Sequence, residues 1–139
     1  MAACARWRGF SNMPLIVGKM ATILVVDDEA DVRHMMQTII ERRGHRVVTA
    51  ADTAAAWELL KEKPDGMFVD IHMPGETGVE FVMRLRRDER FCELPIVFIT
   101  ASRERAFVFQ KSDQRALEVI EKPFRVEQIG KAIENMLGD

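Results

Sequence analysis

The sequence predicts an α/β three-layer sandwich, a five-stranded parallel sheet with five helices packed on its two faces. Two observations predict it. Short apolar, β-branched runs at Thr22–Val26, Arg46–Ala50, Gly66–Val69, Leu94–Ile99 and Ala116–Ile120 alternate with segments of helical periodicity, the pattern of strands joined by right-handed crossover helices. Five polar residues, Asp27, Asp28, Asp70, Thr100 and Lys122, stand at or just past the ends of four of these runs. In sheets of this kind ligands bind outside the carboxyl ends of the strands, so three carboxylates, a hydroxyl and an ammonium are expected to converge on one crevice.

Each element has its own signal. After Asp27-Asp28, the segment Glu29 to Arg43 carries Val32, Met35, Met36, Ile39 and Ile40 at helical spacing, and Gly44 stops it. The run from Arg46 to Ala50 is a short strand, and Asp52 is placed to cap a helix bearing Ala55, Ala56, Leu59 and Leu60. Pro64-Asp65-Gly66 breaks that helix. The third strand ends at Asp70, Met73-Pro74-Gly75 turns the chain, and Val79, Val82, Met83 and Leu85 form the stripe of a helix with outward arginines. The fourth strand ends at Thr100. Between Ser102 and Asp113 the nearly consecutive Phe107, Val108 and Phe109 give no clean stripe, and a short, marginal helix is expected. The fifth strand leads to Lys122-Pro123-Phe124, and the last helix puts Val126, Ile129, Ile133, Met136 and Leu137 on one face.

Composition bounds the function. A chain of 139 residues with 47% hydrophobic and 30% charged residues suits one domain with one core, leaving no room for a second catalytic or DNA-binding domain. A formal net charge of −2 supplies no basic footprint for phosphate neutralisation, so nucleic acid is not expected as a partner. No run approaches the roughly 20 apolar residues of a membrane span, and no membrane partner is expected. Cys4 and Cys92 form neither a metal-ligand cluster nor a disulfide framework, which makes a reducing cytoplasm the expected location. Residues 1–19 hold Arg6, Arg8 and Lys19 and no acid, and their longest apolar run, Pro14–Val17, is too short for a signal-peptide core. They read as a disordered extension, or as sequence upstream of a natural start at Met20, in preference to a targeting segment; residues 20–139 read as the domain.

Carboxylates packed within a few Å repel, so Asp27, Asp28 and Asp70 either raise a pKa or recruit a cation. Mg²⁺ suits them, since it takes oxygen ligands and combines one or two carboxylates with waters and a phosphate. Simpler roles exist for each residue. Asp28, with Glu29 and Asp31, could cap the first helix and favour its dipole; Asp70 could serve the turn that follows it; Thr100 could merely end a strand, and Lys122 could be solvated. Those readings together need four coincidences at strand ends. His34, His45 and His72 are too scattered for a metal site.

The acidic pair after the first strand, the segment Val69-Asp70-Ile71-His72-Met73-Pro74 with Gly78, Ile99-Thr100-Ala101 and Lys122-Pro123-Phe124 resemble, in joint order and spacing, the receiver domain of two-component response regulators. The resemblance covers roughly Met20 to Asp139. It implies a flavodoxin-like fold with strand order 2-1-3-4-5, and Asp70 as acceptor of a phosphoryl group from a phosphohistidine on a sensor histidine kinase or histidine phosphotransfer protein. It further implies a Mg²⁺ site of Asp27, Asp28, Asp70 and the backbone carbonyl of His72, sensing of the phosphoryl group by Thr100 and Lys122, a cis Lys122–Pro123 bond, and a downstream effector protein. Such a protein is not an enzyme acting on a separate substrate; it assists its own phosphorylation and dephosphorylation.

Two departures stand out. The Gly-Ala pair usual before the fifth strand is Arg115-Ala116, and the aromatic three residues before the lysine is Val119. Val119 has little reach for a large rotation, so the conformational change is expected instead around Ser102 to Asp113, with Phe107 and Phe109 re-exposed or re-buried; the alternative is that both are simply core residues. Three rivals remain. A haloacid-dehalogenase-like phosphatase would need an acid where His72 stands, a degenerate receiver acting only as a binding module would not keep the full acid, Thr and Lys set, and a nucleotide-binding α/β domain would need a Gly-rich turn in place of Asp27-Asp28-Glu29.

Overall fold

The computed structural model describes residues 20–101 and 118–138. The sheet runs β2-β1-β3-β4-β5, with β1 Thr22–Val26, β2 Arg46–Ala50, β3 Gly66–Asp70, β4 Ile96–Thr100 and β5 Glu118–Glu121, and every neighbouring pair is parallel. The helices are α1 Ala30–Arg42, α2 Thr53–Leu59 continued by a 3₁₀ turn Leu60–Glu62, α3 Gly78–Arg86 and α4 Val126–Leu137. Four α-helices thus lie among the described residues, where five were expected; the expected helix between Ser102 and Asp113 lies outside them, as do residues 1–19.

Two cores follow from the period-2 alternation of side chains along each strand. On one face Leu24, Val26, Met67, Val69, Ile96 and Phe98 meet Ala56, Leu60, Phe81, Val82 and Leu85 from α2, its 3₁₀ extension and α3. On the other, Ile23, Val25, Phe68, Val97, Ile99 and Ile120 meet Met36, Ile39, Ile40, Ile129, Ala132, Ile133 and Met136 from α1 and α4. All five residues of β3 and of β4 are buried, which is why those strands read as unbroken apolar runs rather than as an alternation.

The helix stripes are corrected in detail. Met35 is 51% exposed, Met83 43% and Val126 57%. At 3.6 residues per turn Met35 lies at the rim of the buried arc of α1 and Met83 lies one position beyond that of α3, while Val126 opens its helix before the sheet is reached. Phe81 is buried instead, its ring edge-on to Trp57 at 6.3 Å, and Trp57 in turn meets Phe91 at 6.2 Å. Ala55 is exposed, because α2 is a short helix whose inner side is Thr53, Ala56 and Trp57. Arg86, read as outward, donates to the carbonyls of Phe91, Cys92 and Leu94 and so staples the turn before β4. Cys92 is disulfide-bonded, where the sequence led us to expect no disulfide framework.

The local signals for caps and stops are realised. Asp52 accepts from Ala55 N–H at 2.7 Å, Thr77 and Glu80 exchange both bonds of a capping box, and Gly44, with φ +89°, ends α1. The carboxyl ends of β1, β3, β4 and β5 all lie at one end of the parallel sheet, and the polar residues stand there.

Candidate functional site

Sheet register builds the site. Val26 pairs with Val69 and Asp70 with Ile99, so the residues after β1 and the last residue of β3 lie side by side. Thr100 pairs with Glu121, and Lys122 N–H donates to Thr100 O at 2.7 Å, which sets Lys122 beyond the end of β5 and next to β4. The Lys122–Pro123 peptide is cis.

Carboxylate oxygens of Asp27, Asp28, Glu29 and Asp70 all lie within 4.8 Å of one another. Asp27 is fully buried and Asp70 is 4% exposed, whereas Asp28 and Glu29 face solvent. The backbone fixes the buried pair. Asp27 N–H donates to Ala50 O, Asp27 Oδ1 accepts from Glu29 N–H at 2.8 Å, and the Arg33 guanidinium donates to Asp27 O at 2.6 Å. Asp70 Oδ1 accepts from His72 N–H at 3.1 Å.

Close packing brings α3 up to Asp70. Gly78 N–H donates to Ile71 O at 3.0 Å, and a methyl group at Gly78 would collide with the carbonyl of Asp70 and crowd Val69. Only glycine lets the helix approach β3 this closely, which gives the Gly78 of the motif a physical reason.

The Lys122 ammonium is the counter-charge. It lies 2.7 Å from Glu29 Oε1, 2.9 Å from Asp27 Oδ2 and 3.3 Å from Asp70 Oδ2. Burial disfavours its charged form, but the hydrogen bond to Glu29 and the close carboxylates of Asp27 and Asp70 outweigh that and raise its pKa. Asp70 moves up as well, from 3.8 to about 6, chiefly by burial and then by the charge of Asp27, against the pull of Lys122 and the His72 N–H. Asp70 therefore remains ionised in most molecules at neutral pH while being more basic than an ordinary aspartate, which suits a carboxylate nucleophile.

A divalent cation fits the donor set. Asp27 Oδ2 is buried and, despite its ion pair with Lys122, has no hydrogen-bond partner among the described residues, and hard oxygen donors at this spacing match the chemistry of Mg²⁺ rather than that of a softer metal. The structure thus gathers Asp27, Asp28 and Asp70 into one cluster, sets Lys122 against two of them, and places Thr100, fully buried, at the adjacent strand end. His72 is exposed and enters through its backbone. Glu29 was missed as a site residue. Its contact with Lys122 spans 93 positions, and the sequence shows only one more acid at a helix start.

Known proteins resemble this chain. Residues 23–134 match the family model described as the response regulator receiver domain. Among curated relatives, the chain is similar to the phosphate regulon transcriptional regulatory protein PhoB of Pseudomonas aeruginosa, 38% identical over 110 residues that span 78% of this chain and 47% of PhoB. It is also similar to the chemotaxis protein CheY1 of Helicobacter pylori, 32% identical over 119 residues that span 84% of this chain and 96% of CheY1. The chain thus spans about half the length of PhoB and nearly all of CheY1. Among solved structures, the chemotaxis protein CheY4 of Vibrio cholerae superposes with a TM-score of 0.76 at 30% identity, covering 85% of this chain and 99% of CheY4. NtrX of Brucella abortus superposes with a TM-score of 0.77 at 30% identity, covering 86% of this chain and 28% of NtrX.

Proposed function

The chain belongs to the response regulator receiver family, and from that premise we propose that it is a phosphoacceptor switch in which Asp70 takes a phosphoryl group from a phosphohistidine on a sensor histidine kinase or histidine phosphotransfer protein. One observation carries the reading: a buried, basic aspartate at the end of the central strand, flanked by two further aspartates and touched by a lysine ammonium.

A carboxylate oxygen of Asp70 attacks phosphorus, the P–N bond to the imidazole breaks, and its electron pair stays on the departing histidine nitrogen. The phosphoryl group passes through a loose transition state with negative charge on its three equatorial oxygens, so positioning and electrostatics do nearly all the catalysis. Asp27, Asp28, Asp70 and the carbonyl of His72 are the residues that would hold Mg²⁺. Bound there, the ion neutralises charge on the phosphoryl oxygens and relieves the repulsion among the carboxylates. The His72 N–H holds Asp70 Oδ1 in place, which fixes the carboxylate plane for attack.

Lys122 offers a fixed positive charge to one phosphoryl oxygen and the Thr100 hydroxyl offers a hydrogen bond to another. The small Ala101 leaves the approach open. Phosphorylation adds about −1.5 to −2 charges at pH 7, and the response of Thr100 and Lys122 alters the affinity of the surface near β5 for an effector protein. Donor and effector are the partners proposed, with neither nucleic acid nor membrane among them. No described helix is long and apolar enough to cross a membrane, and a cytoplasmic location suits an exchange with a kinase.

Incubation with a small acyl phosphate and Mg²⁺ followed by intact-mass measurement tests this. The protein should gain one phosphoryl mass, and Asp70→Ala should gain none. Equal gain by the variant refutes the assignment of Asp70.

A further inference from the structure

Glu29 occupies the N-cap position of α1, where an acidic side chain ordinarily turns back to accept the first free N–H groups of the helix. It does not: no side-chain cap bond is made. Its carboxylate points the other way, 2.7 Å from Lys122 Nζ, the shortest of the three contacts that the ammonium makes. The backbone enforces the choice, because Asp27 Oδ1 holds Glu29 N–H and so orients the residue over the crevice.

An ammonium has three N–H donors, and three carboxylates already face this one. Glu29 and Asp70 accept hydrogen bonds from it and Asp27 faces it as an ion pair, so a phosphoryl oxygen reaches Lys122 in competition with these carboxylates. Asp27 and Asp70 are buried, and their side chains are 1% and 5% exposed; that of Glu29 is 60% exposed. Withdrawing a buried carboxylate from its cation leaves an uncompensated charge in a poorly solvated place, whereas Glu29 returns to water. Glu29 is therefore the ligand that yields.

We infer that Glu29 is a positioning residue that holds Lys122 at the mouth of the crevice in the resting state and competes with the incoming phosphoryl group for that ammonium. The inference rests on the proposed phosphorylation of Asp70 and assigns to that site a control that none of its other residues supplies. A resting receiver with Lys122 engaged by Glu29 reacts more slowly with a phosphoryl donor than one whose ammonium is free.

The test uses the full chain as wild type, Glu29→Gln, Glu29→Asp, Lys122→Met and the double variant Glu29→Gln/Lys122→Met. The first readout is the initial rate of phosphoryl gain from a small acyl phosphate with Mg²⁺, followed by intact mass. Glu29→Gln should react about twofold to fivefold faster, the ratio that a largely exposed ion pair is worth. Glu29→Asp, with a carboxylate one methylene too short to reach Lys122, should be faster as well. In the Lys122→Met background the Glu29→Gln change should have no effect on rate. The second readout needs no metal and no phosphoryl donor: the ¹⁵N resonance of the Lys122 ammonium should shift and its protons should exchange faster with water in Glu29→Gln.

An unchanged or lowered rate in Glu29→Gln, or an equal acceleration with and without Lys122, overturns the inference, and so does an ammonium resonance identical to wild type. If the wild type itself gains no phosphoryl group, the proposed function fails, while the resonance still decides whether Glu29 holds Lys122.

Discussion

Asp70→Asn, studied without divalent metal, isolates the electrostatic cost of the crevice. Burial and the neighbouring Asp27 push Asp70 from 3.8 to about 6, so the folded state binds a proton more tightly than the unfolded chain does. A raised carboxylate of this kind destabilises the fold when ionised. The cost is absent below about pH 4, grows as pH rises between about 4 and 6, and is complete above that. At about 1.4 kcal/mol for each pH unit of displacement it amounts to about 3 kcal/mol, and the side chain of Asp70 is only 5% exposed, so solvent screens little of it. Asparagine is close to isosteric and never ionises. The variant should therefore melt about 10 °C above the wild type at pH 8, and the difference should close as pH falls to 4. Thermal melts in EDTA at half-unit steps of pH measure this directly. A difference that is flat in pH, or a variant less stable than wild type at pH 8, would mean that attraction between Lys122 and Asp70 exceeds the burial and repulsion terms, and the reasoning would fail.

Mg²⁺ should stabilise the wild type, by about 2.7 kcal/mol at a hundred times its dissociation constant, and by less in Asp28→Ala; identical melts with and without the ion would count against the metal site. Gly78→Ala forces a methyl group against the backbone of Asp70, which cannot yield as a side chain can, and should cost about 1 to 3 kcal/mol and slow phosphoryl gain; a variant matching wild type in both respects would show that α3 simply moves away. Gly130→Ala gives the opposite outcome from a similar geometry, because the atoms in the way belong to the guanidinium of Arg43, the far end of a flexible side chain. Losing the exposed Arg43–Glu134 pair at 3.6 Å costs little, and replacing glycine inside a helix returns about 1 kcal/mol, so stability measured by urea titration should be unchanged or slightly raised; a loss above about 1 kcal/mol would contradict this.

The sheet and the strand-end residues were legible because both follow from local pattern. Runs such as Val25-Val26-Asp27 and Val69-Asp70 mark where an apolar strand stops and a polar residue begins, and parallel register does the rest. What was not legible depends on partners distant in the chain. Met35 and Met83 satisfy helical spacing yet lie outside the buried arcs, since spacing fixes a face and not its width. Phe81 is buried because Trp57 and Phe91 arrive from other elements to cover it. Glu29 looked like a helix-start acid and does stand at the helix start; the partner that its carboxylate meets there, Lys122, comes from the far end of the chain.

The same long-range logic bears on how a signal would leave the site. Val119 pairs with Phe98 across β4 and β5 and packs against the core shared by α2 and α3, so it has a settled place and no long side chain to swing. The expected rearrangement around Ser102 to Asp113, with Phe107 and Phe109, lies outside the described residues. Within them, a direct link between the two residues proposed to sense the phosphoryl group is the hydrogen bond from Lys122 N–H to Thr100 O at 2.7 Å. A shift of Thr100 toward a phosphoryl oxygen pulls on that bond, and a shift of Lys122 away from Glu29 pulls on it from the other side. On the proposed function the two movements would be coupled through the backbone at the end of β5, where the residue three before Lys122 is Val119 rather than an aromatic.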